Sequence, residues 1–272
     1  MTADTNRCQA GAPKIADSIW QYANMLFESE RHKVSVPPIT QFDRTFSLDD
    51  AYAVQMENVN RITAGGHTVS GKKIGLTSAG IQKQLGVDEP DYGHLFDAMD
   101  CKDGIVQTAE LIQPKIEAEL AFILSKDLSG GGVTAEDVRR ATAYVVGAFE
   151  IVDSRIADWK INLPDTVADN ASSGRYILGE KRMKLSEIDP AGITMKLYKN
   201  GALVGEGSGA AVLSDPCVAV AWLANRLFSY GISLKKGEVI LSGAFSAAPE
   251  AKKGDVFRVD FSKLGCITAR FV

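Results

Sequence analysis

Pro114-Lys115-Ile116-Glu117-Ala118-Glu119-Leu120-Ala121-Phe122-Ile123-Leu124 is the stretch on which the reading of this chain turns. Residues two apart in a strand share a face. Ile116, Ala118, Leu120, Phe122 and Leu124 then line one face, and Glu117, Glu119, Ala121 and Ile123 the other. Both faces turn apolar, so the strand is expected to be buried on both sides. Two carboxylates side by side on such a strand repel each other; a positive group must hold them ionised, or one must be protonated. The plain alternative is a strand end with two solvated glutamates, because glutamate is seldom fully buried.

A second run bears on that choice. In Val145-Val146-Gly147-Ala148-Phe149-Glu150-Ile151-Val152, Glu150 is the one charge in an apolar, β-rich segment. An unpaired buried carboxylate costs several kcal/mol, on the order of the desolvation penalty per ion. A buried salt bridge to Arg155 or Lys73 would answer that cost. Convergence of Glu117, Glu119 and Glu150 on one divalent cation answers it for all three acids at once. An all-oxygen ligand set suits a hard ion, Mg²⁺ or Mn²⁺. Three carboxylates against a dication leave a formal −1, which a nearby lysine would offset before an anionic substrate arrives.

Outward from these runs, helices cluster early and strands dominate later. Residues 1–13 read as disordered. Lys14 to His32 places Ile15, Ile19, Ala23, Leu26 and Phe27 at helical spacing. Val36 to Phe46 contains prolines and reads as extended. Ser47 with Asp50 starts a second helix that ends at Gly65-Gly66. Residues 14–68 thus form an N-terminal helical portion, and 69–272 a strand-rich catalytic portion. In the latter, Val69 to Leu76 reads as a strand and Ser78 to Leu85 as a short helix. Thr134 with Asp137 caps another helix, and Ile193 to Val204 a hairpin turning at Asn200-Gly201. Ser214, with Pro216 just inside, starts a helix ending before Gly231. Glu238 to Phe245, Val256 to Phe261 and Cys266 to Val272 read as terminal strands. Without regular βαβ alternation, the pattern is α+β. The chain carries no G-x-G-x-x-G, P-loop or nucleophile-elbow pattern, so it gives no support to a nucleotide cofactor or a serine nucleophile.

The 272 residues are 45% hydrophobic and 24% charged, with net charge −4, ordinary for a soluble globular protein. That charge gives no reason to expect nucleic acid or an anionic membrane as partner. Met1 to Lys14 lacks an apolar signal core. The best membrane-like run, Tyr144 to Val152, is short and holds Glu150. Cys8, Cys101, Cys217 and Cys266 have no metal-like or redox-like spacing, consistent with reduced thiols in the cytoplasm.

Several motifs together carry a resemblance. They are Gly71-Lys72-Lys73-Ile74-Gly75-Leu76-Thr77-Ser78, Glu89-Pro90-Asp91-Tyr92-Gly93, Pro114 to Leu120, Glu150-Ile151-Val152-Asp153-Ser154-Arg155 and Asp169-Asn170-Ala171-Ser172-Ser173. From about residue 14 onward the chain resembles the 2-hydroxypenta-2,4-dienoate hydratase (2-oxopent-4-enoate hydratase) family. That family includes 4-oxalocrotonate decarboxylases and lies within the fumarylacetoacetate hydrolase superfamily. The resemblance implies a mixed β-roll or partial barrel. It implies Mg²⁺ or Mn²⁺ on three acids matching Glu117, Glu119 and Glu150, with a lysine and an aspartate matching Lys73 and Asp91 beside the substrate. Leu76 and Thr77 are implied as backbone contacts to it. Ser172 and Ser173 are candidates for its carboxylate, against ordinary loop hydrogen bonding. Asp153 and Arg155 read as structural ion pairs. The Gly243 to Pro249 loop is a further candidate source of backbone donors. The hydrolase branch uses a histidine base; His32, His67 and His94 sit in no such motif, which counts against carbon–carbon hydrolysis. Relatives also imply a symmetric homo-oligomer, with association with other enzymes of the same pathway open.

The implied reaction belongs to meta-cleavage catabolism of aromatic compounds. A 2-hydroxydienoate ketonises, water adds at carbon 4, and protonation at carbon 3 gives a 4-hydroxy-2-oxoacid. The alternative within the family is decarboxylation of 4-oxalocrotonate, whose second carboxylate calls for an extra Arg or Lys. The alternative of another class is a non-catalytic protein that binds metal or oxoacid on the same scaffold.

Overall fold

The computed structural model describes residues 16–78, 80, 82–83, 86–87 and 89–272. Residues 1–13, Lys14 and Ile15 of the first expected helix, and Ala79, Ile81, Gln84 and Leu85 of the helix expected at Ser78 to Leu85, lie outside the described residues.

Three helices come first: α1 (Ala16–His32), the single turn α2 (Ile39–Phe42) and α3 (Leu48–Ala64). The Ser47 side chain accepts the Asp50 N–H while the Asp50 carboxylate accepts the Ser47 N–H, the reciprocal cap expected for α3. Ala23 and Leu26 of α1 and Ala51 and Val54 of α3 enter a buried cluster that also holds Ile116, Phe122 and Phe149 of the sheet. The segment Val36 to Phe46 is not wholly extended. Thr40 gives its N–H (3.1 Å) and hydroxyl (2.6 Å) to Asp165, and this long-range anchor closes α2 just after Pro38.

A six-stranded mixed sheet holds β1 (Val69–Gly75), β2 (Asp91–Phe96), β4 (Pro114–Leu124), β5 (Thr142–Asp153), β6 (Ser173–Leu178) and the short β9 (Val239–Leu241). Its order is β2-β1-β9-β4-β5-β6. A five-stranded sheet, β3-β11-β10-β7-β8, is built of β3 (Ile105–Val106), β7 (Thr194–Lys199), β8 (Ala202–Ser208), β10 (Val256–Phe261) and β11 (Gly265–Phe271). The sheets meet at Gly147, where a Cβ would lie 2.6 Å from the Phe261 ring. Together they form the expected curled half-barrel with helices. The β7–β8 turn has Asn200 at φ 51° and Gly201 at φ 84°, as its sequence demanded.

Helices α4 (Ala135–Ala141), α5 (Leu163–Ala168) and α6 (Pro216–Phe228) lie among the later strands. The cap of α6 is Asp215, not Ser214: Asp215 accepts the Cys217 N–H at 2.8 Å, while Ser214 is left-handed at φ 70°. The strand expected over Glu238 to Phe245 pairs only at Val239–Leu241, because Gly243 turns away at φ +115°. Among the described residues, Gly209–Phe228, rather than Tyr144–Val152, is the run long and apolar enough to cross a membrane, with mean hydropathy 1.2; half of it is buried. Val220, Leu223, Ala224 and Leu227 of α6 lie in the core.

Candidate metal centre and active site

The register of β4 against β5 sets Glu117 directly opposite Glu150, with Glu119 opposite Ala148. Like charges facing each other across a sheet are destabilising unless something offsets them. Carboxylate oxygens of all three acids lie within 4.8 Å of one another. Glu119 and Glu150 are fully buried, and Glu117 borders a cavity of about 390 Å³.

Burial pushes all three carboxyl groups up. Glu119 is held well above the ordinary range, with Glu150 and Glu117 adding repulsion. Glu150 is pushed up to about 7 by burial, although Lys73 opposes the shift. Burial also raises Glu117, again against Lys73. Glu119 Oε2 accepts the Gly243 N–H at 2.8 Å. Among the described residues, Glu119 Oε1 and Glu150 Oε2 have no hydrogen-bond partner, and Glu150 Oε1 has only the ion-pair contact with Lys73. Orphaned buried carboxylate oxygens in one cluster are the coordination set a hard divalent cation requires, so these residues fit Mg²⁺ or Mn²⁺.

Lys73, on β1, reaches this cluster from the side. Its ammonium lies 3.3 Å from Glu150 Oε1 and donates to the Ala171 carbonyl at 3.0 Å. Burial alone would lower its pKa. Glu150, Asp91, Glu117 and Glu119 reverse that and hold it above the ordinary lysine range. Asp91 stands across from Gly75 in the β1–β2 pair. Its Oδ2 accepts the Thr166 hydroxyl at 3.1 Å, and among the described residues its Oδ1 has no hydrogen-bond partner. Burial raises its carboxyl while Lys73 opposes this. A Cβ on Gly75 would lie 2.2 Å from Asp91 Oδ1 and 3.2 Å from Lys73 Nζ, so only glycine leaves room for that carboxylate beside the ammonium.

The carbonyl that holds Lys73 belongs to a strained turn. Asn170, Ala171 and Ser172 are all left-handed, at φ 53°, 49° and 53°. Non-glycine residues in that region cost of order 1 kcal/mol or more each, and persist where their surroundings over-determine them. Here they do. The Asn170 side chain accepts the His94 N–H and donates to the His94 carbonyl. Arg155 Nε donates to Asp169 Oδ1 at 2.5 Å, and its Nη2 donates to the Asp169 carbonyl. Arg155 is therefore a structural partner, as expected, but of Asp169. Asp153 accepts the Ile112 and Gln113 N–H groups.

Lys73, Asp91, Glu117, Leu76, Thr77 and Ser172 all line the cavity. Leu76 is left-handed at φ 56°. The loop after β9 contributes Ala244, Phe245, Ser246 and Ala247. Ser173 is not among the lining residues; its hydroxyl donates to the Asn170 carbonyl. His94 lies elsewhere, against Gln55 at 3.1 Å, and burial beside Lys72 pushes its ring down to about 3. Sequence reasoning missed Thr166, Gly75, Trp159 and Ile161. Gly75 stood inside a quoted motif, but its need for space was visible only once Asp91 was placed. Thr166 and Trp159 carried no local signal.

The fumarylacetoacetate (FAA) hydrolase C-terminal family model matches residues 97–272. The chain is 44% identical over 249 residues to a 2-hydroxyhexa-2,4-dienoate hydratase from Comamonas testosteroni, covering 90% of this chain and 94% of that one. It is 46% identical over 210 residues to a 2-hydroxypent-2,4-dienoate hydratase from Pseudomonas putida, covering 76% and 95%. Among solved structures, 4-oxalocrotonate decarboxylase from Pseudomonas putida G7, complexed with magnesium and adipate, superposes with a TM-score of 0.93. It is 36% identical, covering 96% of this chain and all of that one.

Proposed function

The chain belongs to the fumarylacetoacetate hydrolase family, and from that premise we propose that it is a hydro-lyase adding water to 2-hydroxypenta-2,4-dienoate-type acids in meta-cleavage catabolism of aromatic compounds. The observation that carries this reading is the meeting of Glu117, Glu119, Glu150, Lys73 and Asp91 at one cavity wall. Relatives over 40% identical, named as hydratases, support the same reaction class.

Glu117, Glu119 and Glu150 would hold the divalent cation, which supplies positive charge against the substrate's 2-oxygen, where negative charge develops. Lys73 offsets the remaining negative charge and draws the substrate carboxylate toward that wall. Once the 2-hydroxyl proton has been moved to carbon 5, leaving the conjugated 2-oxo-3-enoate, Asp91 Oδ1, beside Lys73, accepts a proton from the water that attacks carbon 4. The Lys73–Asp91 pair then returns a proton to carbon 3, and the product is a 4-hydroxy-2-oxoacid. Thr166 fixes the rotamer of Asp91, and the Asn170–Ser172 turn fixes Lys73. Leu76, Thr77 and Ser172 shape the substrate's berth. Ser173 acts through the turn rather than by contact.

The structural likeness to a decarboxylase keeps 4-oxalocrotonate as a second reading. Against it, Lys73 is the one cation among the described residues lining the cavity, and a second carboxylate would want another. A non-catalytic binding role leaves the Lys73–Asp91 arrangement without a purpose. We place the enzyme in the cytoplasm as a homo-oligomer. Incubating the protein and Mg²⁺ with each substrate separates the readings: mass spectrometry of the dienoate product is expected to show a gain of one water. Release of CO₂ as the main event would overturn the hydratase reading.

A further inference from the structure

Along β4 and β5, the face that carries the acids continues past them. Two residues beyond Glu117 and Glu150 on that face come Lys115 and Val152, paired with each other in register. One such step is about 7 Å, so this pair sits one step along that face from the acids. Val152 lines the cavity there, with Trp159 and Ile161. Lys115 does not. Its ammonium lies 4.2 Å from the centre of the Trp159 ring, so the cavity meets the indole and not the charge.

The indole is held in place. Trp159 Nε1 donates to the Gln113 carbonyl at 3.1 Å. The Gln113 side chain in turn donates to the Ser154 carbonyl at 2.8 Å and the Ile156 carbonyl at 2.5 Å. Asp158 and Trp159 are both left-handed, at φ 57° and 55°. A bulky residue in that region is a genuine outlier, and here its surroundings fix an aromatic wall beyond the acids.

We propose that Trp159 is the specificity-determining residue of this cavity. It presents an apolar surface to the far end of the substrate and shields the Lys115 ammonium. The site therefore takes monocarboxylic 2-hydroxydienoates with a hydrogen or alkyl terminus and turns away those with a second carboxylate. This rests on the hydratase reading for its substrates, though not for the wall itself.

The test compares kcat/KM for 2-hydroxyhexa-2,4-dienoate and 2-hydroxyhepta-2,4-diene-1,7-dioate with Mg²⁺ present. Calorimetric binding of the unreactive 2-oxohexanoate and 2-oxoheptanedioate is measured in parallel. The wild-type protein is expected to favour the monoacid in both measurements. Trp159→Ala should shift the monoacid-to-diacid ratio about tenfold or more toward the diacid, and adding Lys115→Met should cancel the gain in diacid use. If Trp159→Ala does not fold, judged by circular dichroism, Trp159→Leu reads the same ratios. Unchanged ratios in the folded variant, or an equal preference in the wild type, overturn the proposal. If neither dienoate is hydrated, the hydratase reading fails, and the binding ratios alone still decide the role of Trp159.

Discussion

The two faces of β1 carry adjacent lysines with opposite fates. Lys72 points to one side and meets a single acid, Glu238, at 2.9 Å. The Glu238 carboxylate is further occupied by the Lys235 N–H. Lys73 points to the other side, into a cluster where Glu150, Asp91, Glu117 and Glu119 all act on it. Both side chains are 4% exposed, so burial does not tell them apart. Satisfaction does. The first pair is closed, one charge against one, with its remaining valence used. In the second, Glu119 Oε1 and Glu150 Oε2 have no hydrogen-bond partner among the described residues, and three carboxyls are pushed up. A closed pair stabilises or fixes a sheet; an open cluster is poised for a ligand.

The contrast can be attacked from its strongest consequence downward. Removing divalent metal with a chelator should abolish turnover, and Mg²⁺ or Mn²⁺ should restore it; Glu119→Gln should prevent that rescue and weaken metal binding in calorimetry. Full activity after chelation would mean the open cluster needs no ion. Next, Lys73→Ala and Asp91→Asn should each lower kcat by about 10²–10⁴-fold, the usual contribution of a positioned acid or base, with metal binding retained. A variant with wild-type kcat and pH profile would reclassify that residue with Lys72.

On the closed face the loss should appear in stability. Lys72→Met leaves Glu238 buried and unpaired, and should cost about 3–5 kcal/mol in denaturant unfolding, while kcat of the folded protein stays near wild type. The double variant Lys72→Met with Glu238→Leu should recover most of that loss. If the single change instead removes activity, the two faces are not separable.

The smallest effect concerns His94, whose ring is pushed down from 6.5 to about 3 by burial and by Lys72. The folded state keeps this ring neutral while the unfolded chain takes up a proton below pH 6.5, so stability falls as pH falls through the window from 6.5 to 3. Between pH 6.5 and 5.5 this group alone accounts for about 1 kcal/mol. His94→Gln should flatten the slope of unfolding free energy over that interval; an unchanged slope would place the proton elsewhere.

The difference between these faces also explains what could be seen in advance. Glu117, Glu119 and Glu150 were legible because a charge on a strand that is apolar on both faces has no local partner, and each therefore asks for a distant one. Strand alternation separates Lys72 from Lys73, but nothing local says which faces the acids. The partner of Lys72 is 166 residues away; Lys73 was one of two candidate partners for Glu150, and the resemblance singled it out for the site. The caps at Ser47 and Thr134 and the Asn200-Gly201 turn were legible because their partners sit within three residues. Thr166 and Trp159 were not: one supports Asp91 from a helix 75 residues on, and the other owes its place to a left-handed turn that no residue type announces. Ser173, read beside Ser172, faces the turn instead of the cavity for a similar reason, since the kink at Asn170–Ser172 breaks the expected pairing of neighbours.

Strand β9 has a consequence for the order of assembly. It is only three residues long, yet it separates β1 from β4, running parallel to Gly71–Lys73 on one side and antiparallel to Ala121–Ile123 on the other. The β4–β5 ladder, with its facing acids, closes locally once the chain has been made to Asp153. Lys73 can be locked beside them only after Val239–Leu241 has threaded between, a closure that spans more than half the protein and is correspondingly slow. The charge balance of the site thus depends on a strand that the chain supplies long after its acids.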